Sequence, residues 1–213
     1  MKYYPVNLDL RGRRCVVVGG GQVAERKTLS LLEAGADVTI VSPSLTPKLT
    51  DLVASGKLQQ VPVSYQEAHL AGALLVIAAT NDLAVNRAVA LFCRKKGVLV
   101  NVAAPPEESS FIVPSVVERG DLVIAVSTSG ASPALAKSIR RKLEQQYGAE
   151  YELLLTRLAG VRKRLLEEVG SETGRRQVLE AIVDSNVLEL LRKGNIHEAD
   201  HLINDLLKQR GRA

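Results

Sequence analysis

The sequence predicts an α/β fold: a doubly wound parallel sheet, then a short two-stranded segment and an all-helical C-terminal part. Three observations support this fold class. Apolar runs without polar alternation recur through residues 15–102, which is typical of strands buried on both faces. Helical patterns separate these runs, as they do in βαβ units. From Pro133 onward only helical periodicity is present.

The strands of the sheet are predicted at 15–19, 37–41, 58–63, 74–78 and 98–102; the runs 15–19 and 74–78 are apolar throughout, and 58–63 is the weakest of the five. Helices are predicted between them, at 23–34, 47–55 and 83–96. The second helix has Thr46 as a candidate N-cap and Pro47 at its first position. The third follows Asn81-Asp82 and is closed by Gly97.

The chain changes character after Asn101. Residues 103–110 are polar and rich in proline, so they are predicted as a loop. Two strands follow, at 111–113 and 122–127, joined by a turn around 119–121. The helices are predicted at 133–147, 149–168, 175–183, 185–193 and 196–208. We therefore expect three parts: a dinucleotide-binding domain over 1–110, a dimerisation and substrate-cleft segment over 111–147, and a helical domain over 148–213.

Composition excludes several classes of protein. The 213 residues are 46% apolar and 24% charged, which is ordinary for a globular chain and argues against disorder. The net charge of +5 is compatible with an acidic ligand, but no basic stripe stands out. Only 3% of the residues are aromatic, so platforms for stacking nucleic-acid bases are poorly supplied. Nucleic acid is therefore not an expected partner.

The cysteines and the N-terminus indicate a cytoplasmic protein. Cys15 and Cys93 are the only cysteines, and each lies in an apolar stretch, so both are predicted to be reduced core residues. The N-terminal residues lack the apolar region of a signal peptide, and no apolar run has the length of a membrane span.

The strongest local motif is G-x-G-x-x-A, formed by Gly19, Gly21 and Ala24. Gly19 permits the tight turn out of the first strand, and Gly21 lets the main chain approach a pyrophosphate. Ala24 lets the helix pack closely, so that its N-terminal amides face the anion. The motif alone is common, but here it follows a predicted strand and opens a helix. That context favours dinucleotide binding over an ordinary tight turn.

The end of the second strand bears on the choice of cofactor. An acidic residue that binds the ribose is expected about 20 residues after the motif. The chain instead has Ser42-Pro43-Ser44 there, with no carboxylate and no cation for a 2′-phosphate. Ser44 and the neighbouring main chain are the candidate ribose and adenine contacts, and NAD is favoured over NADP.

Other polar residues follow the predicted strands and one later loop. Thr80 and Asn81 come after the fourth strand and Asn101 ends the fifth, at the sheet edge where ligands bind in this class of fold. The loop 127–132 is rich in hydroxyl groups and leads into a helix with Ser132 as its candidate N-cap. An anion site and an ordinary capped turn are both consistent with it.

A zinc site is considered and set aside. The residues 197–201 spell H-E-x-x-H, in which two histidines lie one turn apart. A catalytic zinc needs a third ligand. His69 lies far away in the chain, and Asp205 lies in a short terminal helix, so a solvated helix face is the favoured interpretation. No metal site is predicted.

Five segments taken together resemble one family. They are V-V-V-G-G-G-x-V-A-x-R-K, L-L-x-A-G-A-x-V-T-I-V-S-P, A-A-T-N-D, V-N-V…S-F-I-V-P-S and A-V-S-T-S-G-A-S-P-A-L-A. In this order they resemble the siroheme-biosynthesis family of precorrin-2 dehydrogenases and sirohydrochlorin ferrochelatases. The resemblance covers about residues 3–145 and includes segments that general Rossmann-type domains lack.

The resemblance implies an NAD-binding Rossmann-type domain, a homodimer, and a tetrapyrrole polycarboxylate as substrate, with ferrous iron as a second substrate of the chelatase reaction. The implied cofactor contacts are Gly21, Gln22, Val23, Pro43, Ser44 and Thr80. The implied substrate contacts are Asn101, Ser127, Thr128, Ser129 and Ser132. Thr128 stands at a position that is often serine in the family.

One departure from the family pattern concerns the chemistry. Ala104 stands where the family usually has the aspartate that serves as its acid/base group. Alanine cannot exchange a proton, so no catalytic acid or base is assigned. Metal insertion must remove pyrrole protons and should suffer more than hydride transfer, which the cofactor performs. Glu107 and Glu108 follow in the same loop, and solvated positions are favoured for both.

The expected function is therefore NAD-dependent dehydrogenation of precorrin-2 to sirohydrochlorin, with ferrochelatase activity in doubt. Two alternatives stay open. One is a tetrapyrrole-binding protein without catalysis, which the alanine at position 104 allows. The other is an NAD-sensing regulatory module, since glycine-rich βαβ units also serve that role.

Overall fold

We describe a computed structural model of the chain over residues 2–210. These residues divide into two compact units, with the boundary between Val113 and Pro114. Within residues 2–210, no helix combines the length and the apolar character that crossing a bilayer requires.

The first unit is a five-stranded parallel sheet in the order β3-β2-β1-β4-β5, which confirms the predicted α/β class. Its strands are β1 (Arg14–Val18), β2 (Asp37–Val41), β3 (Gln59–Val61), β4 (Leu75–Ala78) and β5 (Leu99–Val102). Its helices are α1 (Gln22–Glu33), α2 (Pro47–Ala54) and α3 (Leu83–Lys96).

Both faces of this sheet are covered, as the unbroken apolar strands predict. Val17, Ile40 and Ile77 belong to the core cluster that contains residues of α1 and α2. Val16 and Val76 belong to the opposite cluster, which contains residues of α3. All five side chains are at most 2% exposed. Burial on both faces is why the central strands β1 and β4 have consecutive apolar residues, at 15–18 and 75–78.

The helix ends also match the sequence prediction. The Thr46 hydroxyl accepts a hydrogen bond from the Leu49 amide at the start of α2. Asp82 caps α3 by accepting from the Ala84 and Val85 amides. Gly97 ends α3 in the left-handed conformation that glycine adopts without steric cost.

Over residues 114–210, the second unit contains a hairpin and five α-helices. The hairpin pairs β6 (Ser115–Arg119) with β7 (Leu122–Val126). The helices are α4 (Pro133–Gln146), α5 (Glu150–Glu168), α6 (Glu172–Val183), α7 (Val187–Arg192) and α8 (Ile196–Arg210). The five predicted helices are confirmed, with shifts of a few residues at their ends.

The strand predicted at 111–113 is wrong. Arg119 pairs with Leu122 across a two-residue turn, so the partner of β7 must lie immediately before that turn, at 115–119. Residues 109–111 instead run beside β5. There the Ser110 amide donates to the Val100 carbonyl, 2.8 Å away, and the Ser110 hydroxyl accepts from the Val100 amide, 2.9 Å away.

The two thiols are predicted to be unreactive in the folded protein. Cys15 and Cys93 are free and fully buried, which confirms their placement in the core. Burial raises the pKa of each thiol to about 11, with Asp37 as a smaller cause at Cys15. Ellman's reagent at mildly alkaline pH should therefore label neither thiol in the native protein and both after denaturation. Rapid labelling before unfolding would contradict this packing.

Candidate dinucleotide site

A cleft of about 490 Å³ opens where β1, β2 and β4 end. Every residue that lines it is uncharged. The lining residues are Val18, Gly19, Gly20, Gly21, Val41, Ser42, Pro43, Ser44, Leu45, Thr46, Val63, Ser64, Tyr65, Ala79, Thr80, Asn81 and Val85. The carboxyl ends of parallel strands are where ligands bind in this fold class, so the cleft is the candidate dinucleotide site.

Each of the three consecutive positions is glycine for a different structural reason. Gly19 has φ +116°, and a Cβ there would overlap the Ala79 carbonyl group, with its carbon at 2.7 Å. A Cβ on Gly20 would overlap the Ser44 carbonyl oxygen and lie 2.7 Å from the Ser42 hydroxyl oxygen. Gly21 faces open space, with no atom within 4 Å of an added Cβ. The first two glycines therefore let the loops pack, whereas the third leaves room for a ligand.

The N-terminus of α1 lies beside this open space. Gly21 is the N-cap, and among the described residues no side chain caps the helix. Gln22, Val23 and Ala24 form the first turn, whose amides have no partner within an α-helix. Ala24 is fully buried against the sheet, as the motif predicts. Exposed amides at a helix N-terminus fit a pyrophosphate, so the residues present suit a dinucleotide.

The loop after β2 is held against the glycine turn. The Ser42 hydroxyl donates to the Ser44 carbonyl oxygen, 2.7 Å away, and the Thr46 amide donates to the Gly20 carbonyl oxygen, 3.0 Å away. The Thr46 hydroxyl donates to the Glu25 carboxylate on α1. Pro43 and Ser44 therefore occupy a defined position in the cleft wall, where the sequence predicts ribose or adenine contacts.

The loop after β4 is organised by Asn86, which the motif analysis missed. This fully buried side chain accepts hydrogen bonds from the Thr80 amide and hydroxyl at 3.1 and 2.8 Å. Its amide group donates to the carbonyl oxygens of Thr80 and Ala104, at 3.1 and 2.9 Å. Asn86 thereby connects the cleft wall to Ala104. A polar residue on the apolar face of α3 is the sequence signal that could have revealed it.

The loop after β3 also contributes to the cleft, although no sequence motif predicts it. Tyr65 lines the cleft beside Val63 and Ser64. Burial is the main cause that raises the pKa of Tyr65 to about 12, with smaller contributions from Glu67 and Cys93. The phenol therefore stays neutral and serves as a wall of the cleft, not as a base.

The predicted substrate residues fall in different units. Asn101 lies in the first unit, where its side-chain amide donates to the Phe111 carbonyl oxygen, 3.1 Å away. The loop 127–132 lies in the second unit. The Thr128 hydroxyl donates to the Ser132 carbonyl oxygen and accepts from the Ser132 amide, at 3.0 and 3.1 Å. The Ser132 hydroxyl accepts from the Leu135 amide at 3.2 Å, as the cap prediction requires.

Two further residues complete this loop. The Ser127 hydroxyl accepts from the Ser129 amide, 3.0 Å away, and Ser129 adopts φ +54°. The hydroxyls of Ser127, Thr128 and Ser132 are thus used to shape the main chain. An anion at this loop would therefore be bound by solvent-exposed groups of the turn other than these hydroxyls.

The H-E-x-x-H segment is a helix surface. His201 contacts Asp205 at 3.0 Å, and Glu198 accepts from the Asn195 side chain at 3.0 Å. Within residues 2–210, no three His, Cys, Asp or Glu side chains are grouped so that they could hold a metal ion.

Comparison with known proteins identifies the family. A family model described as "Putative NAD(P)-binding" matches residues 6–115, and one described as "Sirohaem biosynthesis protein central" matches 119–146. A solved structure, "SirC, precorrin-2 dehydrogenase", is similar with a TM-score of 0.78 and 31% identity, over 99% of this chain and 100% of that one. The chain belongs to the siroheme-biosynthesis family.

Curated relatives in this family are longer proteins. The siroheme synthase of Methylobacillus flagellatus is 38% identical over 211 residues, which are 99% of this chain and 45% of the relative. That of Chromobacterium violaceum is 38% identical over 195 residues, 92% of this chain and 42% of the relative. The chain thus spans slightly under half the length of these siroheme synthases.

The family model over residues 6–115 makes the first unit an NAD-binding domain, as the glycine motif predicts. Ala104 lies just beyond β5 and is exposed, so a larger side chain at this position would meet solvent.

Proposed function

We propose that the chain catalyses NAD-dependent dehydrogenation of precorrin-2 to sirohydrochlorin. The observation that carries the proposal is the uncharged cleft around Gly21, in a chain similar over its whole length to a precorrin-2 dehydrogenase. NAD, when bound, would accept the hydride that the macrocycle loses, and the proton lost with it would be released to water. The tasks left to the chain are to bind the cofactor, to orient the substrate and to exclude water.

The cofactor is bound from two sides in this proposal. The first-turn amides of α1 donate to the pyrophosphate, next to the open surface of Gly21. Pro43 and Ser44 contact the ribose and adenine, while Thr80 and Asn81 form the wall across from them. Because no cation of residues 2–210 lines the cleft, a 2′-phosphate would lack a counter-charge there, which favours NAD over NADP.

The substrate and the assembly are also part of the proposal. Asn101 and the loop formed by Ser127, Thr128, Ser129 and Ser132 contact the tetrapyrrole. The chain acts as a homodimer, for which the outer face of the β6–β7 hairpin offers apolar surface: Val116 and Val123 are 38% and 48% exposed. The reaction takes place in the cytoplasm, where free thiols such as Cys15 and Cys93 stay reduced.

Iron insertion is left out of the proposed activity because position 104 has no base. The nearby carboxylates do not replace it: Glu108 pairs with Arg94 at 2.9 Å, and Glu107 is exposed. General acid–base assistance contributes about 10²–10⁴-fold to a proton transfer. A chelatase without it would be slow, whereas hydride transfer depends mainly on positioning.

Anaerobic turnover tests this function. The purified chain with NAD and precorrin-2 should produce NADH together with the absorption spectrum of sirohydrochlorin. Ala104→Asp should fold, because position 104 is exposed, and should accelerate dehydrogenation slightly and iron insertion by about 10²-fold or more. Ala103→Asp, at the exposed neighbouring position, is the matched control and should accelerate neither.

Each result separates the alternatives. Absence of NADH with the wild-type chain would overturn the proposal, and binding of sirohydrochlorin without NADH would identify a tetrapyrrole carrier. A chain that binds NAD and no macrocycle would be a sensing module. Equal iron insertion by the wild type and Ala104→Asp would show that position 104 is not the site of a lost base.

A further inference from the structure

Lys27 is a half-buried cation that forms no ion pair within residues 2–210. It lies on α1 between Ala24 and Thr28, which are fully buried, and close to the buried Leu31. Among residues 2–210, no carboxylate lies within ion-pair distance of Lys27, although exposed cations such as Arg192 have such partners. The glycine motif and the proposed cofactor contacts leave this lysine unexplained.

The position is unfavourable for a positive charge. Burial lowers the pKa of Lys27, and the neighbouring Arg26 adds to the effect. The folded protein therefore bears a desolvation cost at neutral pH that a neutral side chain would avoid. Such a cost is typical of a group that serves a ligand and not the stability of the fold.

The geometry of α1 determines the direction in which Lys27 points. Glu25 lies on the side of α1 that faces the loop after β2, because its carboxylate accepts from the Thr46 hydroxyl. Two residues further along an α-helix correspond to a rotation of about 200°. Lys27 therefore lies on the opposite side of α1, towards β4 and β5.

Asn101 lies on the same face of the sheet. It is in register with Ile77 of β4, which is in register with Val17 of β1. Ile77 and Val17 belong to the core cluster that contains Ala24 of α1. Since residues in register in parallel strands point to the same face, the Asn101 side chain is on the α1 side. Within the described chain, the Asn101 side-chain amide makes one hydrogen bond, to the Phe111 carbonyl oxygen.

We propose that Lys27 and Asn101 together bind one carboxylate of the tetrapyrrole substrate. The ammonium group forms the ion pair, and the remaining N–H of the Asn101 amide group supplies the second hydrogen bond. The cofactor pyrophosphate is already served by the α1 amides at Gly21, on the turn before Lys27. This assignment rests on the proposed function and adds a specific contact to it.

Binding measurements on the full chain test the assignment. Sirohydrochlorin and NAD are titrated separately into wild type, Lys27→Gln, Lys27→Arg and the control Lys48→Gln, which removes an exposed lysine of α2. Lys27→Gln should weaken sirohydrochlorin binding by about tenfold or more, the usual loss for a charged hydrogen bond. NAD binding should stay unchanged. Lys27→Arg should retain most of the affinity for sirohydrochlorin, and Lys48→Gln all of it.

Thermal unfolding provides the second measurement. Lys27→Gln should melt at the same temperature as the wild type or higher, since a desolvated charge is removed, so weaker binding cannot be attributed to misfolding. Unchanged sirohydrochlorin affinity in Lys27→Gln would overturn the assignment, and so would weakened NAD binding. If the wild type produces NADH and the variant binds normally, only this inference fails. If the wild type neither turns over nor binds the macrocycle, the proposed function fails with it.

Discussion

Gly20→Ala is expected to destabilise the first unit by more than about 3 kcal/mol and to abolish NAD binding. The added methyl group would overlap the Ser44 carbonyl oxygen and crowd the Ser42 hydroxyl. Neither neighbour can move freely, because Ser42 bonds to Ser44 and the Gly20 carbonyl is bonded by the Thr46 amide. To relieve this overlap, the whole loop after β2 would have to move away from the glycine turn.

The adjacent glycine provides the matched control. Gly21 has open space where its side chain would be and an ordinary φ of −83°, so Gly21→Ala should melt like the wild type. Its methyl group would instead occupy the surface at which the pyrophosphate approaches the α1 amides. We expect NAD affinity to fall by about tenfold or more, comparable to the loss of one charged hydrogen bond. Thermal unfolding and NAD titration of both variants measure the two effects.

Opposite outcomes would contradict this division of roles. If Gly20→Ala melts at the wild-type temperature, the loop after β2 does not pack against the glycine turn as described. If Gly21→Ala binds NAD with undiminished affinity, the dinucleotide does not approach the main chain at this residue.

The glycine turn shows how far a motif predicts a site. The spacing of Gly19, Gly21 and Ala24 is a local pattern and predicts the turn, the open surface and the close helix packing. Gly20 occupies a variable position of the same motif. Its requirement comes from the Ser44 carbonyl, more than 20 residues away in the chain, and only the folded loop reveals that contact.

Strands and helix ends were predictable where their determinants are local. β2 begins and ends as predicted because four of its five residues are β-branched and buried, and α3 is limited by Asp82 and Gly97. The hairpin differs because a strand on the surface is defined by its partner. A strand was predicted at 111–113 because these residues are apolar. The two-residue turn instead makes the more polar segment 115–119 the partner of β7.

Hydroxyl groups were harder to interpret than glycines. The sequence 127–132 permits either an anion site or a capped turn. In the structure, Thr128 and Ser132 bond to the local main chain, so the turn accounts for their hydroxyls without a ligand. The family resemblance, and not the residue types, is what supports a substrate role for this loop.

Asn86→Leu is the second substitution with a large expected effect. The leucine is close to asparagine in size but would leave the Thr80 amide and two carbonyl groups without their partners. Each buried polar group left unpaired costs about 1–3 kcal/mol, so we expect a loss of stability of at least about 3 kcal/mol. Because the Thr80 and Ala104 loops are held together by this side chain, NAD-dependent turnover should fall with stability.

Asn86→Asp separates charge from shape at the same position, and its effect should depend on pH. The new carboxylate oxygen would face the carbonyl oxygens of Thr80 and Ala104, which cannot donate to it. Burial and these acceptors raise the pKa of the introduced carboxyl in the folded state. The folded state then binds more protons than the unfolded state above the ordinary carboxyl pKa, so stability falls as pH rises through that window.

At acidic pH the protonated group can donate to one carbonyl, and the difference from the wild type should shrink. Asn7→Asp, the same change at an exposed position, should show no comparable dependence. Denaturant unfolding at several pH values measures both variants. A constant difference between Asn86→Asp and the wild type at all pH values would mean that the Asn86 amide does not donate to these carbonyls. The connection between the cofactor loop and position 104 would then need another cause.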